Sequence, residues 1–213
     1  MQTQSKTQEY FYADSNSFHH HKYLLTPLKK LLTQGYYEPN KKLRILDLGC
    51  GNGSLTHLIA QQGYEVVGVE ESKSGVELAN QTFSNCKFVQ GSIYNLPFSE
   101  LGDKFDVVIG AEVIEHLFYP REIAKAAKKV LKPNGQLILT TPYHGYFKNL
   151  VLAASGKMDQ HFTVLWDGGH IKFFSVKTLS KLLVSEGFTD IKFKFTGRMP
   201  YLWKSMLCSS KFR

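Results

Sequence analysis

The sequence predicts an α/β protein built on a mostly parallel sheet with helices on both faces. Three observations carry this. Short apolar runs alternate with helical patterns along most of the 213 residues. The runs are nearly continuous in Val, Ile and Leu, as strands buried on both faces are. The first of them runs straight into a loop with three glycines, LDLGCGNGSLT, Leu46 to Thr56, at the kind of strand end where open α/β sheets hold ligands.

Taken in order, the chain opens with a polar, aromatic arm over residues 1–22 that has no periodicity. It reads as a flexible arm or a lid, and its consecutive His19, His20 and His21 as surface residues. Tyr23 to Thr33 is helical, with Leu24, Leu25, Leu28, Leu31 and Leu32 at helical spacing. Leu43 to Leu48 is a strand and Leu55 to Gln62 a helix. Glu65 to Glu70 is a strand, and Gly75 to Phe83 a helix. Lys87 to Gln90 and Phe105 to Ala111 are strands. Pro120 to Leu131 is a helix with proline in its first turn and Pro133-Asn134-Gly135 as its stop. Gln136 to Thr141 is a strand, and Ser175 to Glu186 a helix closed by Gly187. Phe188 to Phe195 and Ser205 to Phe212 follow with no helix between them, which predicts an antiparallel closing hairpin. No repeat or linker divides the chain, so it reads as one domain over 1–213, with 142–174 as an insertion.

Composition narrows the function. The hydrophobic fraction of 43% and charged fraction of 21% are ordinary for a globular domain. No apolar run reaches the ~18 residues of a membrane span, and the N-terminus lacks an apolar signal core. Cys50, Cys86 and Cys208 are odd in number and far apart, so reduced thiols in a cytoplasmic setting are expected. The net charge of +8 suits anionic partners. The tightest basic group, Lys125, Lys128, Lys129 and Lys132, fits the outer face of one helix.

The glycine loop has Gly49, Gly51 and Gly53 in GxGxG spacing. Glycines there allow a sharp turn and a close approach of ligand to backbone at a helix start. The GxGxxG of dinucleotide folds is absent, and so is the Gly-Lys-Ser/Thr of a P-loop. Asp47 would repel a pyrophosphate, so a cationic ligand suits the pocket better. The second strand ends in Glu70, about 20 residues on, where an acid accepts from ribose hydroxyls.

LDLGCGNGSLT, Glu70, GSIYNLPF, FDVVIGAEVIEHL and LKPNGQLILTTP, in that order, resemble a class I S-adenosylmethionine-dependent methyltransferase. The resemblance covers about Leu43 to Thr196. It implies a Rossmann-like fold, a seven-stranded sheet in the order 3-2-1-4-5-7-6, and the cofactor over the C-terminal ends of strands one to four. It implies that Gly49, Gly51 and Gly53, with Cys50 between them, line the methionine part. Asp47 would support the ammonium end and Glu70 the ribose. Ser92 and Ile93 would lie at the adenine, and Ala111 and Glu112 at the methionine side. The chain departs from the family's GDxxxLPF pattern, with Gly91-Ser92-Ile93 where an acid is common.

Glu112, Glu115 and His116 follow the central strand. On a helical turn, i, i+3 and i+4 share a face. Two carboxylates and an imidazole make most of a Mg²⁺ or Mn²⁺ site. His170, after two glycines in DGGHIKFFSVKTL, is the fourth candidate ligand. ExxEH with a distant histidine resembles two groups that use a divalent ion there: polyprenyl-quinone O-methyltransferases of ubiquinone biosynthesis, and small-RNA 2′-O-methyltransferases. Glu115 and His116 are then the catalytic candidates, with His116 or a metal-bound water receiving the hydroxyl proton. Two other readings stay open: a metal-free catalytic or substrate-binding role, and a purely structural one.

Pro142 to Phe174 is long and aromatic, the kind of insertion that covers an acceptor. Within it, YFKNLVLAAS has helical apolar spacing with Lys148 and Lys157 at its edges. It reads as a lid helix on the domain, or as an amphipathic helix on a membrane or over a greasy substrate. Phe173-Phe174 departs from the RNA enzymes' aromatic–acid pair. The expected acceptor is therefore a small catechol-like or polyprenyl-quinol molecule, with peripheral contact to an anionic membrane. RNA, a sugar or a secondary metabolite are alternatives, and a non-catalytic S-adenosylmethionine-binding scaffold is disfavoured by the intact loop and acids.

Overall fold

The computed structural model describes residues 10–16, 21–35, 42–162 and 164–213. Part of the predicted arm, including His19 and His20, lies outside the described residues; His21, expected at the surface, is instead buried, with its Nδ1 3.2 Å from the Ser54 hydroxyl.

Helix α1 (His21–Gly35) is followed by β1 (Arg44–Leu48), α2 (Ser54–Ala60), β2 (Glu65–Glu70), α3 (Lys73–Thr82) and β3 (Lys87–Gln90). Next come a short α4 (Phe98–Leu101), β4 (Phe105–Ala111), a single 3-10 turn (Ile114–His116), α5 (Arg121–Val130) and β5 (Leu131–Pro142). The insertion carries α6 (Tyr146–Ala154) and α7 (Met158–Phe162). The chain closes with α8 (Val176–Ser185), β6 (Phe188–Thr196) and β7 (Ser205–Phe212). The sheet order is β3-β2-β1-β4-β5-β7-β6. β1 to β5 pair in parallel, and β7 runs antiparallel to both β5 and β6. Fold, order and closing hairpin match the sequence reading.

Alternation along β4 places apolar groups on both faces of the sheet. Val108 joins a core with Ile123 of α5 and Leu179 of α8. Val107 and Ile109 join the opposite core with Leu24 and Leu28 of α1 and Ile59 of α2. Each fully buried aliphatic side chain contributes about 1.5–3 kcal/mol, so this central strand is rigid, and its C-terminal end is a fixed platform.

Two local departures from regularity matter. Pro133-Asn134-Gly135 interrupts β5 instead of preceding it. The pairing jumps from Phe105↔Leu131 to Val107↔Gln136, and Asn134 sits at φ 61°, so the turn residues make a bulge inside one long strand. Pro27 lies inside α1. A helical proline offers no N–H to the carbonyl four residues back, here that of Tyr23. That carbonyl instead accepts the Thr196 hydroxyl at 2.9 Å, which ties α1 to β6.

Candidate active site

The glycine loop leaves β1 with Gly49, Gly51 and Gly53 all at positive φ (74°, 57° and 78°), a region where a side chain is strained. The Gly49 and Cys50 amides both donate to the Val69 carbonyl, at 2.7 and 3.1 Å, binding the loop to the end of β2. Glu70, at that end, accepts from the Gly51 amide at 2.9 Å through Oε2 and from the Ser72 amide at 2.9 Å through Oε1. Burial raises its carboxyl and these bonds pull it down. Asp47 is buried and accepts the Thr56 hydroxyl at 2.6 Å. Desolvation lifts it to about 6, which makes the site favour a cation beside it.

The arm crosses this loop. Asn52 donates to the Asp14 and Asn16 carbonyls at 2.9 and 3.1 Å, and the Ser72 hydroxyl donates to the Tyr10 carbonyl at 2.6 Å. The Tyr12 ring lies between Gly51 and Gly75. A Cβ on Gly51 would come within 3.0 Å of the Tyr12 hydroxyl, and one on Gly75 within 2.9 Å of its ring. Residues 10–16 are thus a strap over the loop. The sequence suggested an arm or lid there without naming Tyr12. The same glycines that turn the chain also let an aromatic ring approach the backbone.

The remaining predicted cofactor positions divide. Cys50 packs beneath the loop: a Cβ on Gly68 of β2 would sit 2.7 Å from its sulfur. Ile93 is partly buried against the main core. The Ser92 hydroxyl accepts from the Tyr94 amide at 3.4 Å, in a small turn closed by a bridge to Asn95. Ala111 ends β4 opposite Thr140.

Glu112 sits at φ 56°, a left-handed conformation that costs a non-glycine residue about 1–3 kcal/mol. Its amide donates to the Thr140 carbonyl and hydroxyl, at 3.1 and 3.0 Å. Its carboxylate accepts from Thr140 at 2.7 Å and from Ser205 at 3.4 Å. Tyr23 of α1 reaches the same Ser205 hydroxyl at 3.5 Å.

Glu115, His116 and His170 converge. One ligand-type atom from each lies within 4.8 Å of the others, and Glu112 is not in that group. The Glu115 carbonyl fixes the loop that brings in His170: it accepts from the Ile171 and Lys172 amides at 2.9 and 3.0 Å. The Glu115 side chain is fully buried and neither carboxylate oxygen has a hydrogen-bond partner. Thr141 faces it but stops short of hydrogen-bond geometry. Desolvation first, and then Glu112, hold the Glu115 carboxyl well above its ordinary range. His170 Nε2 is 4.0 Å from Glu115 Oε1. His116 Nδ1 bonds to the Gly168 carbonyl at 2.9 Å. A carbonyl only accepts, so Nδ1 carries the proton and Nε2 keeps its lone pair. Burial lowers both histidines, His170 to about 4, so both are neutral near pH 7. A partnerless buried carboxylate beside two neutral imidazoles is a donor set that fits a divalent cation.

Sequence reasoning missed a polar cluster next to this one. Lys148 was expected at the edge of an apolar face. It is instead 5% exposed, and it is the one buried residue of α6. Tyr146, Phe147 and Leu150 on the same helix are exposed. Helical spacing marks an apolar face but does not say which face is covered. His144 is also buried, with Nδ1 unpartnered. Of the four lysines of the predicted basic group, Lys125 pairs with Glu122, Lys128 with Glu186 and Lys132, in β5, with Asp106, while Lys129 lies over the Phe98 ring at 5.9 Å.

A family model described as "Methyltransferase domain" matches residues 39–182. A ubiquinone biosynthesis O-methyltransferase of Ruegeria sp. (strain TM1040) is 31% identical over 172 residues, covering 78% of this chain and 68% of that protein. The mitochondrial ubiquinone biosynthesis O-methyltransferase of Schizosaccharomyces pombe is 35% identical over 105 residues, covering 46% of this chain and 37% of that protein. In most of the curated relatives the matched stretch spans less than half of their length. Among solved structures, a protein of Pyrococcus horikoshii OT3 superposes with TM-score 0.68 at 24% identity, covering 95% of each chain. The magnesium protoporphyrin IX methyltransferase of Synechocystis PCC 6803 with bound SAH superposes with TM-score 0.64 at 21% identity, covering 88% of this chain and 81% of that one. Those two likenesses concern the fold. With the family match spanning most of the chain, the chain belongs to the methyltransferase domain family, in the class I fold of S-adenosylmethionine-dependent methyltransferases.

Proposed function

We propose that this chain transfers a methyl group from S-adenosylmethionine to one hydroxyl of a small catechol-like acceptor, of the polyprenyl-quinol type, at a divalent-cation site. The observation that carries the reading is the Glu115 carboxylate, buried with both oxygens unpartnered beside two neutral imidazoles. The names of the curated relatives support the acceptor class.

Glu70 holds the ribose hydroxyls, with its oxygens aimed by the Gly51 and Ser72 amides. Asp47 sits under the ammonium end, where a cation relieves its desolvation. Gly49, Gly51 and Gly53 turn the loop at positive φ so that its backbone meets the methionine part, and the Tyr10–Asn16 strap covers the loop. S-adenosylmethionine supplies a methyl on a sulfonium, open to in-line attack. A Mg²⁺ or Mn²⁺ ion held by Glu115, His116 and His170 would orient vicinal hydroxyls and lower the pKa of one. Glu112 is held in place by hydrogen bonds from Thr140 and Ser205. Positioning the hydroxyl against the methyl supplies much of the rate.

α6 turns Tyr146, Phe147 and Leu150 outward, and Val164 and Leu165 beyond α7 are 80% and 95% exposed. With the +8 charge, this apolar edge of the acceptor site suits docking on an anionic bilayer from which a greasy quinol is drawn. No helix among the described residues is long and apolar enough to cross a membrane. Three of the four lysines of the basic group in and after α5 are paired with acids, and the names of the curated relatives do not support RNA as acceptor.

The test uses methyl-labelled S-adenosylmethionine with a short-chain prenylated catechol. Label should enter the organic phase, fall on chelation, and return with Mg²⁺ or Mn²⁺. Transfer that is indifferent to chelation would remove the ion from the reading. No transfer to any catechol would remove the acceptor class.

A further inference from the structure

His21 opens α1 on the helix face of Leu24 and Leu28, which enters the core with Ile59 of α2. Its imidazole is buried there, with Nδ1 3.2 Å from the Ser54 hydroxyl. The direction of that bond follows from its neighbours. The Asn52 side-chain oxygen only accepts, and it takes the Ser54 hydroxyl at 2.9 Å and the Ser54 amide at 3.2 Å. The hydroxyl has one proton, and it is directed to Asn52. The Ser54 oxygen therefore accepts from His21, and Nδ1 carries the proton. With its oxygen held by Ser54, the Asn52 amide turns its nitrogen to the strap, where it donates to the Asp14 and Asn16 carbonyls at 2.9 and 3.1 Å. His21, Ser54 and Asn52 are 5%, 4% and 1% exposed. One buried chain of hydrogen bonds thus runs from α1 through the first residue of α2 and the glycine loop to the strap, and each link orients the next.

We infer that His21 is a positioning residue for cofactor retention. Its N–H sets the Ser54 hydroxyl, the hydroxyl sets the Asn52 amide, and Asn52 holds the strap closed over the glycine loop. The inference rests on the cofactor lying over that loop, as proposed above, and is independent of the acceptor. It makes α1, which packs on the core, the anchor of a latch. Without the His21 donor the Ser54 hydroxyl is free to turn, and Asn52 loses the partner that aims it at the strap. A histidine that only fills the core would leave the strap unaffected.

The test follows two quantities in the full chain: dissociation of S-adenosylhomocysteine by stopped flow, and amide hydrogen exchange over residues 10–16 by mass spectrometry. His21→Leu keeps bulk and removes the donor. It should release S-adenosylhomocysteine roughly 3- to 10-fold faster, the range of one buried hydrogen bond, and speed exchange in the strap. His21→Asn keeps an N–H at the δ position and should stay within about twofold of wild type. Ser54→Ala cuts the same link with a smaller change, so it carries the comparison should His21→Leu fail to fold. Adding His21→Leu to Ser54→Ala should have little further effect, because the two act through one link. Unchanged release and exchange in Ser54→Ala, or effects of the two substitutions that simply add, overturn the inference. So does a His21→Asn protein as leaky as His21→Leu. Saturating S-adenosylhomocysteine should slow strap exchange in the wild type. If it does not, the cofactor does not lie beneath the strap, and that placement falls with the inference. If it does while the variants behave as wild type, the inference alone falls.

Discussion

The two halves of the site differ in how completely their polar groups are satisfied. On the glycine-loop side, Glu70 is held by two amides, Asp47 by Thr56, and Asn52 by the strap. On the acceptor side, Glu115 has two bare oxygens, His144 has an unpartnered nitrogen, and Lys148 has one bond. The first half is preformed, and its geometry is fixed before any ligand arrives. The second half carries uncompensated polar atoms that a ligand must complete. Substitutions should therefore act differently in the two halves, and the contrast can be broken at chosen points.

The largest effect is expected at Gly51→Val. At φ 57° the new side chain is strained and meets Tyr12. S-adenosylmethionine affinity should fall by about 100-fold or more, measured by calorimetry. Near-native affinity would mean the loop is not the cofactor cradle. Glu115→Gln keeps the shape and removes the carboxyl that a cation would bind in its ionised form. Catalysis and Mn²⁺ binding, the latter followed by electron paramagnetic resonance, should each drop by on the order of 100-fold, with S-adenosylmethionine affinity within about threefold. Equal losses in both halves would erase the distinction between them.

Asp47→Asn should separate stability from binding. The folded Asp47 carboxyl is raised to about 6 from 3.8, so the folded state binds more protons than the unfolded state between those values. Its contribution to stability is complete below about pH 4 and is lost as pH rises to about 6. Above pH 6 the apoprotein carries a penalty of up to about 3 kcal/mol, which asparagine removes. Thermal melts should show the variant more stable than wild type at pH 7, with the gap closing towards pH 4, while cofactor affinity falls about tenfold. A variant less stable at pH 7 would count against a desolvated carboxylate at this position. The smallest effect is expected at Tyr12→Ala, where S-adenosylhomocysteine should dissociate several-fold faster with little change in melting temperature. An unchanged rate would leave the strap as packing only.

The sequence told most about the preformed half. Gly49, Gly51 and Gly53 announce positive φ directly, and Glu70 follows from its distance to the loop, because both are short-range backbone requirements. The hairpin was legible from the missing last crossover, and the strand order came with the family resemblance. The ligand-completed half was harder. Glu115, His116 and His170 were named and converge, while Glu112, named with them, is bonded to Thr140 and Ser205 and has a left-handed φ. No propensity predicts that conformation for a glutamate. Lys148 was misplaced because an inside-out helix has the same period as an ordinary one. The strap was invisible as structure: Tyr10 to Asn16 has no periodicity, and its bonds are made to residues far along the chain.

That distance has a consequence for how the molecule comes together. Tyr10, Asp14 and Asn16 are synthesised before their partners, and the bonds to Asn52 and Ser72 span 36 to 62 residues. With synthesis running at about 5–20 residues per second, the strap waits seconds for β1, the glycine loop and β2 to exist. It can settle only onto a loop that has already formed, so a nascent chain offers an uncovered cradle before it offers a closed one.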